Sequence, residues 1–250
     1  MNTIKILRLG IVDYRKALTL QEHLVQHTKK RLKEGKDSSD YLVLLQHSPV
    51  YTTGMRTKDY TAEEEAYLVG LGADFVRTNR GGLITFHGPG QLVAYPILNL
   101  NNYVPQANRR KAGLGMRWYV NTLEEVVIRV CAEFGLTGSR SPHTGVWLGD
   151  NKVCAMGVHS SQLVTSHGLA LNANIDLSWF GRIVPCGIVG KGVTSLTNEL
   201  ARDVSVAEVE PYLIKHFAQQ FSSNVIEPKP LDIGEAFLEK LGLEPLILDS

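Results

Sequence analysis

The stretch Arg80–Tyr95, RGGLITFHGPGQLVAY, decides how the rest of the chain is read. It places four glycines, one proline, one arginine and one histidine between apolar runs. Glycine inside a strand costs backbone entropy, so the pair Gly81-Gly82 implies close approach of backbone to a ligand, or a positive φ. Gly88-Pro89-Gly90 is turn chemistry, because proline presets φ and glycine supplies the left-handed conformation. The spacing predicts a glycine corner, a strand over Leu83–Phe86, a tight turn, and a strand over Gln91–Leu98. His87 then sits at the rim of the turn and Arg80 at the mouth of the corner. The same residues also fit a plain hairpin with a structural histidine. Backbone bared by glycine, beside a histidine and an arginine, suits a carbonyl or acyl group lying across it.

Upstream, Tyr14, Leu18, Val25 and Leu32 fall on one helical face, with Asp13 to cap its start and Gly35 its end. Tyr41–Gln46 is a compact apolar run suited to a buried strand, broken at His47-Ser48-Pro49 and resumed over Val50–Thr53. Thr61 and Glu64 have capping-box spacing and open a helix to about Val69. Asp74–Thr78 reads as a strand. Downstream, Lys111–Phe134 is helical, with Leu123, Val126, Val127, Val130, Cys131 and Phe134 on a buried stripe. Gly145–Leu148 and Lys152–Val158 form a hairpin around Gly149-Asp150-Asn151. Gly168–Asn174 reads as a strand and Asp176–Phe180 as a helical turn. Ser205 and Glu208 make a second capping box, opening a helix to about Phe221. A tail with Pro228 and Pro230 carries a small helix over Ile233–Leu241. Strands and helices are mixed without regular alternation, which predicts an α+β fold in one domain, residues 1–225, with a tail over 226–250.

Of the 250 residues, 44% are hydrophobic and 20% charged, with a net charge of +1, a balance that does not suggest a nucleic-acid or membrane-surface binder. No apolar run approaches the roughly 18 residues of a membrane span. Three cysteines without C-x-x-C spacing suggest neither a disulfide framework nor a zinc site, and imply a reducing compartment. There is no secretory signal. Met1–Lys33 is basic, with only Asp13 and Glu22 acidic, an echo of a mitochondrial presequence, although its periodicity reads as part of the mature protein.

Cys131 and Cys154 lie in periodic segments and read as core residues, since a free cysteine behaves as a small hydrophobe. Cys186 differs: Pro185 and Gly187 bracket it and it joins no stripe, which makes it the candidate nucleophile. A free thiol has a pKa of about 8.5, so it needs a nearby cation or base. Lys152 at the hairpin tip, His87 and His167 are the candidates. Two nucleotide motifs fail. Gly187–Lys191 (GIVGK) is too short for a phosphate loop and lacks its Ser or Thr, and Gly88 and Gly90 do not complete G-x-G-x-x-G.

Taken together, RGG-x-x-T-F-HGPGQL-x-x-Y-P-I at 80–97, GDNKVCAMGV at 149–158, SHGLALN at 166–172 and IVPCG at 183–187 resemble the octanoyltransferase family of lipoate synthesis, the lipoyl-protein ligase B type. TGVWLGDNKVCAMGV and the LSWF-x-x-IVPCG run are most similar to its animal mitochondrial branch. The resemblance covers roughly residues 5–222. It implies the α+β fold of biotin and lipoate protein ligases, a mostly antiparallel or mixed sheet flanked by helices. It further implies octanoyl transfer from acyl carrier protein to a lysine of lipoyl-carrying domains, such as the glycine cleavage H protein and the E2 subunits of 2-oxoacid dehydrogenases.

By the same resemblance Cys186 forms an acyl-thioester, and Lys152 lowers its pKa and then deprotonates the incoming amine. Arg80, Gly81, Gly82, Leu83, Ile84, Thr85, Phe86 and His87, with Ala155, Met156, Gly157, Gly168, Leu169 and Ala170, line the acyl and carbonyl site. His167 is a secondary candidate. No ATP, metal or other cofactor is implied, and the expected state is a monomer in the mitochondrial matrix, with the cytoplasm as the alternative. The chemistry is coherent with this, since thioester exchange is near neutral in energy and thioester to amide is downhill. Backbone N–H groups at Gly82, Gly157 and Gly187 would supply an oxyanion hole, worth about 3 kcal/mol per donor. Leu83, Met156 and Leu169 would line an apolar tunnel, at about 0.8 kcal/mol per buried methylene. Lys29-Lys30-Arg31 and Arg109-Arg110-Lys111 are candidate docking patches for acidic carriers.

Three other functions fit parts of the pattern. An ATP-dependent lipoate or biotin ligase would share the arginine–glycine–histidine region but needs no cysteine. A cysteine hydrolase would pair Cys186 with His167 or His87, oriented by Asn172 or Asp176. An acyl-binding scaffold would leave Cys186 incidental.

Overall fold

The computed structural model describes residues 2–36, 40–55, 60–105, 114–183, 191–227 and 235–244. Cys186, Gly187, the run Arg109-Arg110-Lys111, Pro228 and Pro230 lie outside them. Along the chain come β1 (Asn2–Val12), α1 (Tyr14–Lys33), β2 (Asp40–His47), β3 (Val50–Thr53), α2 (Ala62–Gly70), β4 (Asp74–Arg77), β5 (Thr85–His87) and β6 (Gln91–Ile97). After a 3-10 turn at Leu100–Asn102 follow α3 (Leu114–Glu133), β7 (Gly138–Ser139), β8 (Val146–Leu148), β9 (Asn151–Ser161) and β10 (Val164–Asn172). A second 3-10 turn (Leu177–Arg182) precedes β11 (Gly192–Val193), α4 (Leu196–Leu200), α5 (Val206–Gln220), β12 (Ser223–Ile226) and α6 (Glu235–Leu241).

Among the described residues, nine strands form a mixed sheet in the order β12-β1-β2-β6-β10-β9-β8-β7, with β11 added parallel to β9. β1 runs parallel to β2 and β12, and β2, β6, β10, β9, β8 and β7 are successively antiparallel. This is the α+β class with a mixed central sheet. Period-2 alternation sends side chains to opposite faces. Leu42, Leu44, Leu92, Ala94, Leu169 and Leu171 meet Leu123, Val126, Val127 and Val130 of α3 and Val209, Leu213 and Phe217 of α5. Tyr41, Val43, Leu45, Val93 and Ala170 face the other way, onto Ala17, Leu20 and Leu24 of α1. Leu238 and Leu243, from α6 and just beyond it, join that second layer, and the boundary placed at residue 225 falls inside β12.

Local chemistry sets the ends of these elements. Asp13 accepts the Lys16 N–H at 3.0 Å, and Thr61 and Glu64 form a reciprocal capping box. Such caps contribute about 1 kcal/mol each. The second expected box is only half formed. Ser205 accepts the Glu208 N–H, but the Glu208 carboxylate pairs with Arg202 rather than reaching back. The stripe that α1 buries is the expected one in part: Tyr14 and Val25 are buried, Ala17, Leu20, Leu24 and Thr28 join them, and Leu18 and Leu32 are only half-buried.

The glycine-rich segment does not fold back as a hairpin. β5 belongs to a separate three-stranded sheet, β4-β3-β5, and β6 lies inside the large one. Gly88-Pro89-Gly90 carries the chain between the two. Gly90 has φ +85, and a Cβ there would lie 2.7 Å from Ile175 N. The strand is Thr85–His87 rather than Leu83–Phe86, so His87 is a buried strand residue and not a turn-rim one. Another departure is β1, which the helical reading of the N-terminus omitted. Its Ile4 and Ile6 enter one layer and its Leu7 and Leu9 the other.

β6 and β10 approach closely at Gly168, where a Cβ would lie 2.1 Å from Ala94 O and 2.7 Å from Pro96 Cδ. Backbone and proline cannot yield as a flexible side chain can. Gly168→Ala should therefore destabilise the protein by about 1–3 kcal/mol. Urea unfolding measures it, and a loss below about 0.5 kcal/mol, the range of an inert surface change, would contradict the packing.

Candidate active site

The corner that follows β4 is pressed onto the middle of β9. Gly81 N–H donates to Val158 O at 3.0 Å. A Cβ on Gly157 would lie 2.7 Å from Gly81 O and 3.1 Å from Arg80 Cδ. Gly82 has φ +94, and its carbonyl oxygen lies 2.3 Å from where a Cβ on Gly54 would be. These contacts require glycine at Gly54 and Gly157 and the φ requires it at Gly82, whereas a Cβ on Gly81 would meet Val158 O only at 3.4 Å. Arg80 is buried, with Nη2 donating to Thr52 O (2.7 Å) and Thr52 Oγ1 (2.9 Å), and Nη1 to Gly81 O (3.0 Å).

Between the corner, β5, β6, β9, β10 and the start of α1 lies a cavity of about 40 Å³. Arg80, Gly82, Leu83, Thr85, His87, Ala155, Met156, Gly157, His167, Gly168, Leu169 and Ala170 line it. The structure thus brings three separate sequence motifs to one place. Ile84 and Phe86, named with them, alternate to the other face of β5. They pack with Tyr51, Phe75 and Phe180, and Trp179 stacks on Phe86 at 4.9 Å. Gly81 lines the adjoining cleft instead.

Tyr14, Val93 and Tyr95 also line the cavity, and the sequence did not single them out. A signal was available, since a tyrosine on a buried stripe needs a partner for its hydroxyl. Behind them His47 Nδ1 bonds Val12 O at 2.8 Å and His47 Nε2 bonds the Tyr95 hydroxyl at 2.7 Å. A carbonyl only accepts, so His47 carries its proton on Nδ1 and takes the Tyr95 proton at Nε2. His87 lies 5.7 Å from His47 and stacks on Tyr14 at 5.8 Å, ring centre to ring centre. The Asn79 side chain meets His167 Nε2 at 3.0 Å, and His167 holds φ +55, rare for a side chain in a strand. Burial lowers the pKa of His47 to about 4 and, with Arg80 nearby, that of His167 to about 3. Burial, His47 and Arg80 hold His87 well below its ordinary range. Burial pushes the Tyr14 and Tyr95 hydroxyls up. The polar groups at the cavity are therefore uncharged apart from Arg80.

A second, open cleft of about 300 Å³ shares Gly82, Leu83, Met156 and Gly157 with the cavity. Lys152 lines it from the second residue of β9, not from the hairpin tip, and is only 7% exposed. Its Nζ donates to Thr144 O at 2.9 Å and stands 4.8 Å from the centre of the Trp147 ring. The stem passes over Gly145 (φ +125), where a Cβ would lie 3.3 Å from Lys152 Cε. Glu124 of α3 accepts the Gly145 N–H at 3.0 Å and pairs with Arg140 at 3.2 Å, which fixes the loop beneath the ammonium. Gly192 and Val193 pair with Asn151 and Lys152, so the chain after Cys186 returns beside the lysine. Cys131 and Cys154 are buried core thiols. Burial raises the pKa of Cys131 to about 12 and pushes Cys154 up as well.

The three histidines at and behind the cavity dictate an acid response. In the unfolded chain each titrates near 6.5, whereas in the fold each stays neutral to far lower pH. Their contribution is complete above pH 6.5 and is lost as pH falls towards 4, because the unfolded chain then binds more protons. The expected slope is up to about 1.4 kcal/mol per pH unit per histidine. Urea unfolding at pH 7 and pH 5 tests this, and equal stabilities would mean the rings are charged or solvated.

A family model for the lipoyl protein ligase A/B catalytic domain matches residues 13–218. The chain is 53% identical, over 88% of its length and 92% of the relative's, to the mitochondrial octanoyl-[acyl-carrier-protein]:protein N-octanoyltransferase LIPT2 of Danio rerio. With the protein of the same name from Xenopus tropicalis it is 52% identical, over 87% of each chain. Among solved structures, lipoate-protein ligase A bound with ATP superposes with a TM-score of 0.73, covering 96% of this chain and 94% of the other. At 17% identity that likeness concerns the fold alone. The chain belongs to the lipoyl protein ligase A/B catalytic domain family, on its octanoyltransferase branch of the animal mitochondrial type.

Proposed function

We propose that this chain works in mitochondria, moving an octanoyl group from acyl carrier protein to a lysine of a lipoyl-carrying domain through a thioester on Cys186. The supporting observation is the wall of Gly82, Leu83, Met156 and Gly157 common to the buried cavity and to the cleft holding Lys152. A carbonyl against that wall lies beside glycine backbone, with apolar side chains behind it. The cavity, about 40 Å³, is the smaller of the two spaces that share this wall. The acyl chain would lie along Leu83 and Met156, which line both.

The residues support a balanced sequence. The Cys186 thiolate, stabilised by the Lys152 ammonium, attacks the donor thioester carbonyl. The carrier's thiolate leaves and takes a proton from Lys152. The acceptor's neutral amine then attacks the Cys186 thioester and gives its proton to the now neutral Lys152. Cys186 leaves as thiolate, and thiolate and ammonium are both restored. Thioester exchange followed by amide formation runs downhill without nucleotide hydrolysis. Residues 1–225 would form the catalytic unit. The candidate acceptors are the glycine cleavage H protein and the 2-oxoacid dehydrogenase E2 subunits.

Mixing the protein with octanoyl acyl carrier protein should add one acyl group, seen by intact mass and removed by hydroxylamine. Cys186→Ser should not form that adduct, and Lys152→Ala should slow its transfer to the acceptor by about 10²–10⁴. An adduct on Cys186→Ser at the wild-type rate would remove the nucleophile. Octanoylation from free octanoate that requires ATP would favour the ligase reaction instead.

A further inference from the structure

Four polar residues outside that reaction sequence form a buried chain running from the cavity to the strand that carries Lys152. His87 Nδ1 is 2.7 Å from Gln91 Oε1, and Gln91 Nε2 is 2.9 Å from Asn172 Oδ1 and 3.4 Å from Phe86 O. Asn172 Nδ2 is 2.9 Å from Thr194 O, and Thr194 N–H reaches Lys152 O at 3.0 Å. His87, Gln91, Asn172 and Thr194 are all buried. The two amides come from neighbours of the large sheet, since Gln91 opposes Asn172 across β6 and β10.

The proton on every link is set from one end. The Thr194 carbonyl can only accept, so Asn172 must turn its NH₂ group to it and its oxygen to Gln91. Gln91 must then offer NH₂ to Asn172, which its second bond to the Phe86 carbonyl also requires. Its oxygen is left for His87. His87 Nδ1 is therefore the N–H, and in a neutral ring Nε2 is a bare lone pair. Tyr14 stacked on the ring and His47 at its edge fix its plane.

The geometry points to Gln91 and Asn172 as positioning residues that hold His87 in the Nδ1–H tautomer, so that Nε2 meets the cavity as an acceptor for the N–H or S–H of a reactant. Reversed, the tautomer would put a donor where the incoming amine or thiol also brings one. The same chain ties that tautomer to Thr194 and so to the register of β11 beside Lys152. The tautomer stands on the hydrogen bonds alone. Its service to a reactant rests on the acyl-transfer reading above.

Long-range ¹H–¹⁵N spectra of the full chain labelled with ¹⁵N-histidine test this, with His87 assigned by its loss in His87→Gln. In the wild type the His87 pair should show a protonated Nδ1 and an unprotonated Nε2. Asn172→Leu and Gln91→Leu should shift the proton towards Nε2 and lower kcat by roughly tenfold or more with little change in KM. A wild-type His87 protonated on Nε2 overturns the inference without any variant. So does an unchanged Nδ1–H signal in both leucine variants, or a reversed tautomer with unchanged kcat. Absence of octanoyl transfer in the wild type would instead overturn the acyl-transfer reading and leave the tautomer standing.

Discussion

The structure depends on backbone lying directly on backbone where Arg80–Gly82 crosses β9. With a side chain at Gly157 the corner could not reach Val158 as it does. That contact forms the wall between the buried cavity and the open cleft. It also orients Arg80, whose guanidinium binds Thr52 of the small sheet while its backbone lies against the large one. This contact helps join the two sheets and bares the glycine surface on which a carbonyl can lie.

Around this contact the polar groups divide by charge. Inside, His47, His87 and His167 are neutral because burial penalises the imidazolium, and Arg80 adds a like charge nearby for His87 and His167. Neutral rings keep lone pairs and N–H groups in fixed places and add no field of their own. Outside, Lys152 is held by a carbonyl and an indole ring over a loop that Glu124 and Arg140 fix. A positioned ammonium in the cleft, with a glycine wall between it and the cavity, is the arrangement that the proposed thiolate chemistry calls for.

Much of this was legible along the chain. The apolar runs of β2 and β6, the α3 stripe from Leu123 to Cys131 and the Thr61 box are local patterns and formed where they were expected, while β10 starts at Val164 rather than Gly168. The misses share a cause. β1 was hidden because Lys5, Arg8 and Gly10 interrupt a run whose apolar residues face two different layers. The β9–β10 turn uses Gln162 and Leu163 at φ 54 and 63, with no glycine to announce it. Ile84 and Phe86 were assigned to the site by neighbourhood, yet strand alternation turned them to the other face. Tyr14 reads as a helix-stripe residue, Tyr95 as part of a strand and His47 as a strand break, and only the fold brings the Tyr95 hydroxyl to the His47 ring.

By itself the sequence determined the residue chemistry and the short-range backbone. It specified where glycine is unavoidable, where a cap starts a helix, that Cys131 and Cys154 join apolar stripes, and that four motifs in order resemble one enzyme family. Only the tertiary structure decided which groups share a wall. Val93, Ala155 and Gly168 line one cavity because β6, β10 and β9 are adjacent in the sheet although more than fifty residues of chain lie between β6 and β9. Strand order is set by burial on both faces of a sheet summed over the whole chain, and no local window of residues contains that sum.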